Sequence, residues 1–294
     1  SLLLSLCCLI TLSSCHTAHG VFDPAGLVAK QERTLMMDSV ALMLIVVIPV
    51  IIMSFAFAFR YRKTHDNKSK YRPDWAHNNL LESLWWGVPC VIIVILGIMT
   101  WKYSHKLDPY RKLDVPGKPM VIEAVALRWK WLFIYPNKNI ATINYVDVPV
   151  NKPFEFHITS DAPMSALFIP QLGSQIYAMA GMRTRLNLIS DRVGVYVGKD
   201  TQYNGKGFSS MHFKVHVTSQ KTFDQWVKHV KVSKTSKALT VSEYAKLWQP
   251  RVQKDKWNHD ITDKPLFFNS VAPNLFKRIM WQYTKPNMKL HAAL

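Results

Sequence analysis

The sequence is short of four things, and each shortage narrows what the chain can be. All four cysteines, Cys7, Cys8, Cys15 and Cys90, fall in the first third, in or beside apolar runs. No disulfide can form after Cys90, so any folded region there rests on its own core, as a domain above ~100 residues can. No Walker loop, zincin helix, Gly-x-Ser-x-Gly elbow or CxxC pair occurs, which removes the common nucleotide, protease, hydrolase and zinc-ribbon readings. Acid is scarce, with 19 Asp and Glu against 37 Lys and Arg, a formal net charge of +18 over 294 residues. Internal repeats are absent too.

A basic balance normally raises nucleic acid as a partner. Here long apolar runs supply a different source, a basic face beside anionic lipid or an acidic protein, and no nucleic acid is expected. The first run, "SLLLSLCCLITLSSC", has the length of a signal peptide and is too short for an ordinary span. No initiator Met or basic start precedes it, and the extreme N-terminus is expected to be missing. It closes on Leu12, Ser13, Ser14 and Cys15, the pattern of a bacterial lipobox, in which the signal is cut before a cysteine that receives lipid. The competing reading is an ordinary signal peptide with a chance cysteine.

Residues 39–59, "SVALMLIVVIPVIIMSFAFAF", hold no charge and reach about 32 Å as a helix. Residues 83–101, "SLWWGVPCVIIVILGIMTW", are a second such stretch. Pro49 and Pro89 inside them are tolerated in membrane helices, and Trp85, Trp86, Trp101 and Tyr103 suit the interface. Between the spans, Arg60, Arg62, Lys63, Lys68, Lys70 and Arg72 outnumber the acids, which places this short loop on the cytoplasmic side. Both ends then lie outside, as the lipobox requires independently.

From about Met120 to Ser219, short β-branched and aromatic runs alternate with turns such as "PNKN", "VNKP", "SDAP" and "YNGKG". Roughly seven short strands in about 100 residues predict a Greek-key sandwich or barrel. Pro109, Pro116, Gly117 and Pro119 mark the linker into it. Beyond Ser219, "TFDQWVKHV", "VSEYAKLWQ" and "NLFKRIMWQY" carry helical spacing.

Three histidines raise the question of a metal. In "MHFKVHV" the alternation puts His212, Lys214 and His216 on one side of a strand, with the two imidazoles about 13 Å apart. One metal ion needs both nitrogens within about 2 Å, and Lys214 between them repels a cation. They read as a solvated polar face, and His157 in "FEFHITS" reads as isolated and solvated. In "WKWLFIYP", Trp129, Trp131, Phe133 and Tyr135 alternate, as either one face of a packed strand or a contact surface near a redox partner.

The two spans followed by "WKWLFIYP", "FIPQLGSQIYAMAGMRTRLNLI" and "YNGKGFSSMHFKV" resemble subunit II of the bacterial cytochrome bo-type ubiquinol oxidases, within the haem-copper oxidase superfamily. The resemblance runs from the lipobox to about Val230; no motif is identified after about Lys231. It implies two transmembrane α-helices followed by an all-β cupredoxin-like Greek-key sandwich with C-terminal helices. The implied division is a signal peptide at 1–15, a periplasmic segment at 16–38, spans at 39–59 and 83–101, a cytoplasmic loop at 60–82 and a linker at 102–119. A cupredoxin-like domain at 120–219 and a helical region and tail at 220–294 complete it.

Cytochrome c-oxidising relatives hold two coppers through Cys-x-Glu-x-Cys-x3-His-x2-Met and an upstream His, ligands suited to electron-carrying copper. Laid on that pattern, Gln202 and Lys206 stand at the cysteine positions, Asn204 at the Glu, Ser210 at the His and Phe213 at the Met. Ser165 stands at the upstream His. No cofactor is then expected on this chain, and haems and copper are expected in the large partner, subunit I. The resemblance implies an anchoring, non-redox subunit in the bacterial inner membrane, in a complex that oxidises ubiquinol, reduces oxygen and pumps protons. Subunit I, other small membrane subunits and the bilayer are the implied partners. Glu82, at the start of the second span, resembles a family glutamate at the mouth of a proton-uptake channel; otherwise it is an acid stabilising a helix N-terminus. Competing readings are a copper-binding cytochrome c oxidase subunit II and a stand-alone membrane lipoprotein that binds a partner.

Overall fold

The computed structural model describes residues 20–62, 76–233, 235–249, 253–254, 260–261, 265–285 and 290. Cys15 and the lipobox lie outside them, as does most of the basic loop between the spans. The chain divides into two compact units, residues 32–108 and the remainder.

The first unit carries two long helices, all but the first turn of α1 (Leu27–Arg60) and the whole of α2 (Asn79–Lys106). They contain the predicted spans and overrun them at both ends, because hydrogen-bonded turns continue into the polar flanks. Their apolar stretches are long enough to cross a membrane and none of that surface is buried within the chain. Ile52, Phe55, Ile93 and Ile98 are each at least 60% exposed, which water would penalise and lipid tails would not. Pro49 and Pro89 sit inside the helices without ending them. The start of α2 is capped by Asn78, whose Oδ1 accepts from the amides of Leu80 and Leu81 at 3.1 and 3.0 Å.

The second unit is a β-sandwich. Ten strands span the predicted region: β1 (Met120–Leu127), β2 (Lys130–Tyr135), β3 (Ile140–Ile143), β4 (Tyr145–Pro149), β5 (Phe154–Ser160), β6 (Ser165–Phe168), β7 (Gln175–Ala178), β8 (Thr184–Leu188), β9 (Gly194–Asp200) and β10 (His212–Thr218). More strands form than the seven or so predicted, because two non-glycine residues turn the chain with positive φ. Trp129 (φ 61°) splits "VIEAVALRWKWLFIY" into the β1–β2 hairpin. Asn144 (φ 53°) moves the chain from β3 in one sheet to β4 in the other. Its Oδ1 accepts from the Trp131 amide at 2.7 Å and its carbonyl accepts from the Lys214 amide at 3.1 Å, so this residue ties both sheets.

One sheet runs β4-β10-β9-β6-β7. The other needs the C-terminal region: β11 (Lys237–Leu239) and β14 (Leu266–Val271) extend it in the order β11-β14-β3-β2-β1-β5-β8. The region beyond 219 is therefore more than helical. It holds α3 (Gln220–Val232), α4 (Val241–Trp248) and α5 (Leu275–Thr284), two sheet strands, and a small pair β12 (Gln253–Lys254) and β13 (Asp260–Ile261). β14 pairs antiparallel with β3, supplying hydrogen bonds to what would otherwise be an open edge.

Between the sheets Trp131, Phe133, Phe156 and Phe213 pack at 0–1% exposure, Phe133 and Phe213 with ring centroids 4.9 Å apart. Glycine is required at Gly198, where a Cβ would lie 2.1 Å from the Phe213 ring. Every residue of β2 is buried. The other flank of this strand, Leu132 and Ile134, lies under Leu239, Tyr244, Leu247, Leu275, Phe276 and Ile279 from the C-terminal region. Trp131, Phe133 and Tyr135 are thus packed-strand aromatics, and Trp129 stands apart from them in its turn.

Residues 20–31 belong to the sandwich as well. The Ala25 amide donates to Gln171 O at 2.7 Å, and Asp191 N and Ser190 Oγ donate to Ala25 O at 3.0 and 2.9 Å. Arg192 meets Asp23 at 2.8 Å and Lys30 meets Asp191.

Candidate functional site

The loop that the sequence singles out leaves β9 at Asp200 and re-enters β10 at His212, with a single 3₁₀ turn at Phe208–Ser210. It wraps the Trp129 indole: a Cβ on Gly207 would lie 2.3 Å from that ring, so only glycine lets the backbone pass. Trp129 itself occupies the left-handed region, held by the hairpin below it.

Asp200 organises the loop from within. Its Oδ1 accepts from the amides of Ala166 at 2.7 Å and Gln202 at 3.1 Å, and its Oδ2 accepts from Asn204 Nδ2 at 2.7 Å. The residue is 4% exposed. Burial pushes its carboxyl above the usual range, against donors from Ala166, Gln202, Ser165 and Thr201 that pull it down. Asn204 Nδ2 also meets Ser165 Oγ at 3.0 Å and Met211 Sδ at 3.2 Å. Asn204 Oδ1 and Thr201 Oγ1 are buried without a hydrogen-bond partner among the described residues.

Of the six positions laid on the copper pattern, the structure brings Ser165 and Asn204 into contact, and Gln202 joins through its backbone. The other three do other work. Lys206 is exposed, Ser210 donates its hydroxyl to Gly207 O at 3.0 Å, and Phe213 fills the core. This donor set is amide, hydroxyl, carboxylate and the single Met211 thioether, with no thiolate or imidazole, and it does not fit a copper pair. Asp200 and Met211 are the members sequence reasoning missed. Neither belongs to the six positions, and only the folded loop shows their contacts.

His212 and His216 share the outward face of β10, while His157 lies on β5 in the other sheet. His212 is exposed, and His216 stacks on Tyr145 with centroids 4.6 Å apart. Both are held below the usual imidazole range by partial burial and then by Lys214. His157 is not isolated: its Nε2 lies 3.0 Å from Glu155 Oε1, with Arg185 on that carboxylate at 3.9 Å. Glu155 and His157 are two apart on β5 and so share a face, and the antiparallel register with β8 sets Arg185 opposite His157. No cluster of three or more metal-capable groups occurs among the described residues. Glu82 lies in the first turn of α2, its Oε1 2.5 Å from His77 Nδ1, with 37% of its side chain exposed.

Residues 101–218 match the family described as cytochrome c oxidase subunit II, periplasmic domain. Over 280 residues the chain is 48% identical to cytochrome bo(3) ubiquinol oxidase subunit 2 of Pseudomonas aeruginosa, covering 95% of this chain and 80% of that protein. It belongs to the ubiquinol oxidase subunit 2 family. Ubiquinol oxidase subunit 2 of Acetobacter aceti is 42% identical over 266 residues, covering 90% of this chain and 82% of its own length. Among solved structures, the periplasmic domain of subunit II of the Bradyrhizobium japonicum cytochrome oxidase aligns with a TM-score of 0.37 at 24% identity, over 39% of this chain and 94% of that one. Membership in this family, with two span-length apolar helices, makes the chain a membrane protein.

Proposed function

We propose that the chain is the non-redox subunit II of a proton-pumping ubiquinol oxidase, anchoring and stabilising a haem-bearing subunit I. Electrons would pass from ubiquinol to haem in that partner without crossing this chain. The observation that carries the reading is the Asn204 amide, bonded to Asp200, Ser165 and Met211 in the loop where cytochrome c-oxidising relatives bind copper. A cytochrome c oxidase subunit II would need thiolates, and no cysteine follows Cys90. The names of the relatives weigh against a stand-alone lipoprotein.

The bonds of residues 20–31 to the sandwich support a topology with the start of α1 and the β-domain on the same side of the membrane. With the basic loop cytoplasmic, that side is the periplasm. Lipidation of Cys15 and the division into signal, spans, linker and β-domain belong to the same proposal.

The test is purification of the complex by a tag on this chain. A haem-containing complex that consumes oxygen with ubiquinol, and not with reduced cytochrome c, is expected; oxidation of cytochrome c would refute the reading. Glu82 is proposed to serve proton uptake, supported by its place in the first turn of α2 beside His77. Glu82→Ala is expected to slow turnover of a fully assembled complex, and unchanged turnover would remove that role.

A further inference from the structure

The sandwich is joined to the rest of the chain in two ways. One is covalent, the linker at 107–119, where Arg111, Lys112, Pro116, Gly117 and Lys118 are exposed. The linker touches the strands at Pro109, whose carbonyl accepts from Asn187 N at 3.3 Å and Asn187 Nδ2 at 3.1 Å. The other is a contact. Residues 23–30, which run into the first turn of α1, lie between the β6–β7 loop at 169–174 and the β8–β9 loop at 189–193.

This contact is closely fitted. Ala25 and Ala29 are 0% and 1% exposed, with Val28 buried beside them. A Cβ on Gly26 would lie 2.6 Å from Ile189 O and 2.9 Å from Leu172 O, and one on Gly173 would lie 2.6 Å from Ala29 N. A glycine on each side thus lets the backbones meet. The Ala25 amide reaches Gln171 O, and Leu172 O accepts from Ala29 N at 3.2 Å, one of the first-turn amides that a helix leaves unpaired. The charges are crossed, acid Asp23 on base Arg192 and base Lys30 on acid Asp191. Exposed pairs of this kind contribute little affinity, but a crossed set is neutralised in only one register. Apart from one bridge, Gly26 with Ser190, the segment adds nothing to either sheet, so its burial serves attachment.

We propose that residues 20–31 are a strap that holds the sandwich to the start of the first span by contact alone, so that the sandwich stays attached when the linker is severed. An exposed linker is the place a protease reaches first, and a strap keeps a nicked chain together. While the linker is whole it holds the two surfaces at high effective concentration; once it is cut, the buried contact must hold unaided. The inference concerns this chain by itself and stands whether or not the oxidase reading does.

The test uses the full chain in detergent without partner subunits, tagged at its C-terminus, with a protease site inserted between Pro116 and Gly117. After complete cleavage, the tagged sandwich is expected to retain the fragment that carries both spans. Ala25→Glu/Ala29→Glu drives carboxylates into the contact from the segment side and is expected to lose that retention, with the melting of the cut sandwich unchanged. The Pro109 bonds remain with the span fragment in both versions, so the double variant separates the strap from them. The proposal is overturned if the fragments of the unaltered chain part on cleavage, or if those of the double variant stay together equally well. Loss of the melting transition in the double variant would overturn it too, because the segment would then belong to the sandwich's own fold. Recovery of a haem complex tests the functional reading separately.

Discussion

The two sheets of the sandwich share one core and finish their outer faces in opposite ways. The seven-stranded sheet is covered by its own chain. Val125, Leu127, Leu132, Ile134, Ala141 and Ile143 lie beneath residues of β11, α4 and α5. The five-stranded sheet presents its valines to the outside, and the difference in charge runs parallel. On the covered side the acid Asp161 is fully buried and accepts from Tyr244, from Gln282 Nε2 at 2.6 Å and from Tyr283 at 2.7 Å. Its carbonyl accepts from Trp248 Nε1 at 2.8 Å. On the open side the exposed ionic groups of β9, β10 and the loop between them are cations, Lys199, Lys206 and Lys214. A face closed by the same chain has its polar groups satisfied internally, whereas the open face leaves Lys199 and Lys214 exposed.

The largest test of that contrast is Asp161→Ala. It strips the acceptor from the buried Tyr244 hydroxyl, the half-exposed Tyr283 hydroxyl and an amide, and is expected to cost roughly 3–5 kcal/mol in denaturant unfolding of the full chain. A cost under about 1 kcal/mol would mean that the C-terminal cover is not fastened there. Gly207→Ala on the loop is expected to cost about 1–3 kcal/mol, since its methyl meets the Trp129 ring and one of them must move. Quenching or a shift of indole fluorescence would report the same movement; an unaltered spectrum and stability would show that the loop does not depend on that contact.

The smallest of the three concerns pH. Glu123 borders the N-terminus of α5, where burial pushes its carboxyl up to about 7, opposed by Lys277 and Arg183. The folded chain thus holds a proton that the unfolded chain releases near pH 4.5. Its contribution to stability is complete below that value and is lost as pH rises through about 7. With allowance for screening at a partly exposed group, the loss is about 1–2 kcal/mol. Melting curves of Glu123→Gln should lack this component and match the unaltered chain more closely at low pH than at high pH. An identical pH profile for the two chains would contradict the assignment.

The spans and the lack of copper ligands were legible because both are local: an uninterrupted apolar run, and residues of the wrong kind in one loop. The strand count was not, because it turns on Trp129 and Asn144, two residues without a glycine's freedom that nonetheless take positive φ. β14 was missed although "LFFNSV" between Pro265 and Pro273 has strand composition, since only its partner β3 makes six residues worth pairing. The hubs were least legible. Asp200 acts on Ala166 across 34 positions and Asp161 on Tyr283 across 122, and no local spacing announces such a bond. Asn204 and Ser165 were placed side by side only through the family resemblance, and the structure supplies the reason they belong together: both bond the group that Asp200 anchors.

The most direct measurement of the central claim is the copper content of this full chain, purified in detergent away from its partners and offered copper ions before dialysis. The amide, hydroxyl, carboxylate and lone thioether of the Asn204 loop, without a thiolate or imidazole, predict that no copper is retained and that the absorption of a copper–thiolate centre does not develop. Two tightly held copper ions per chain would contradict the account.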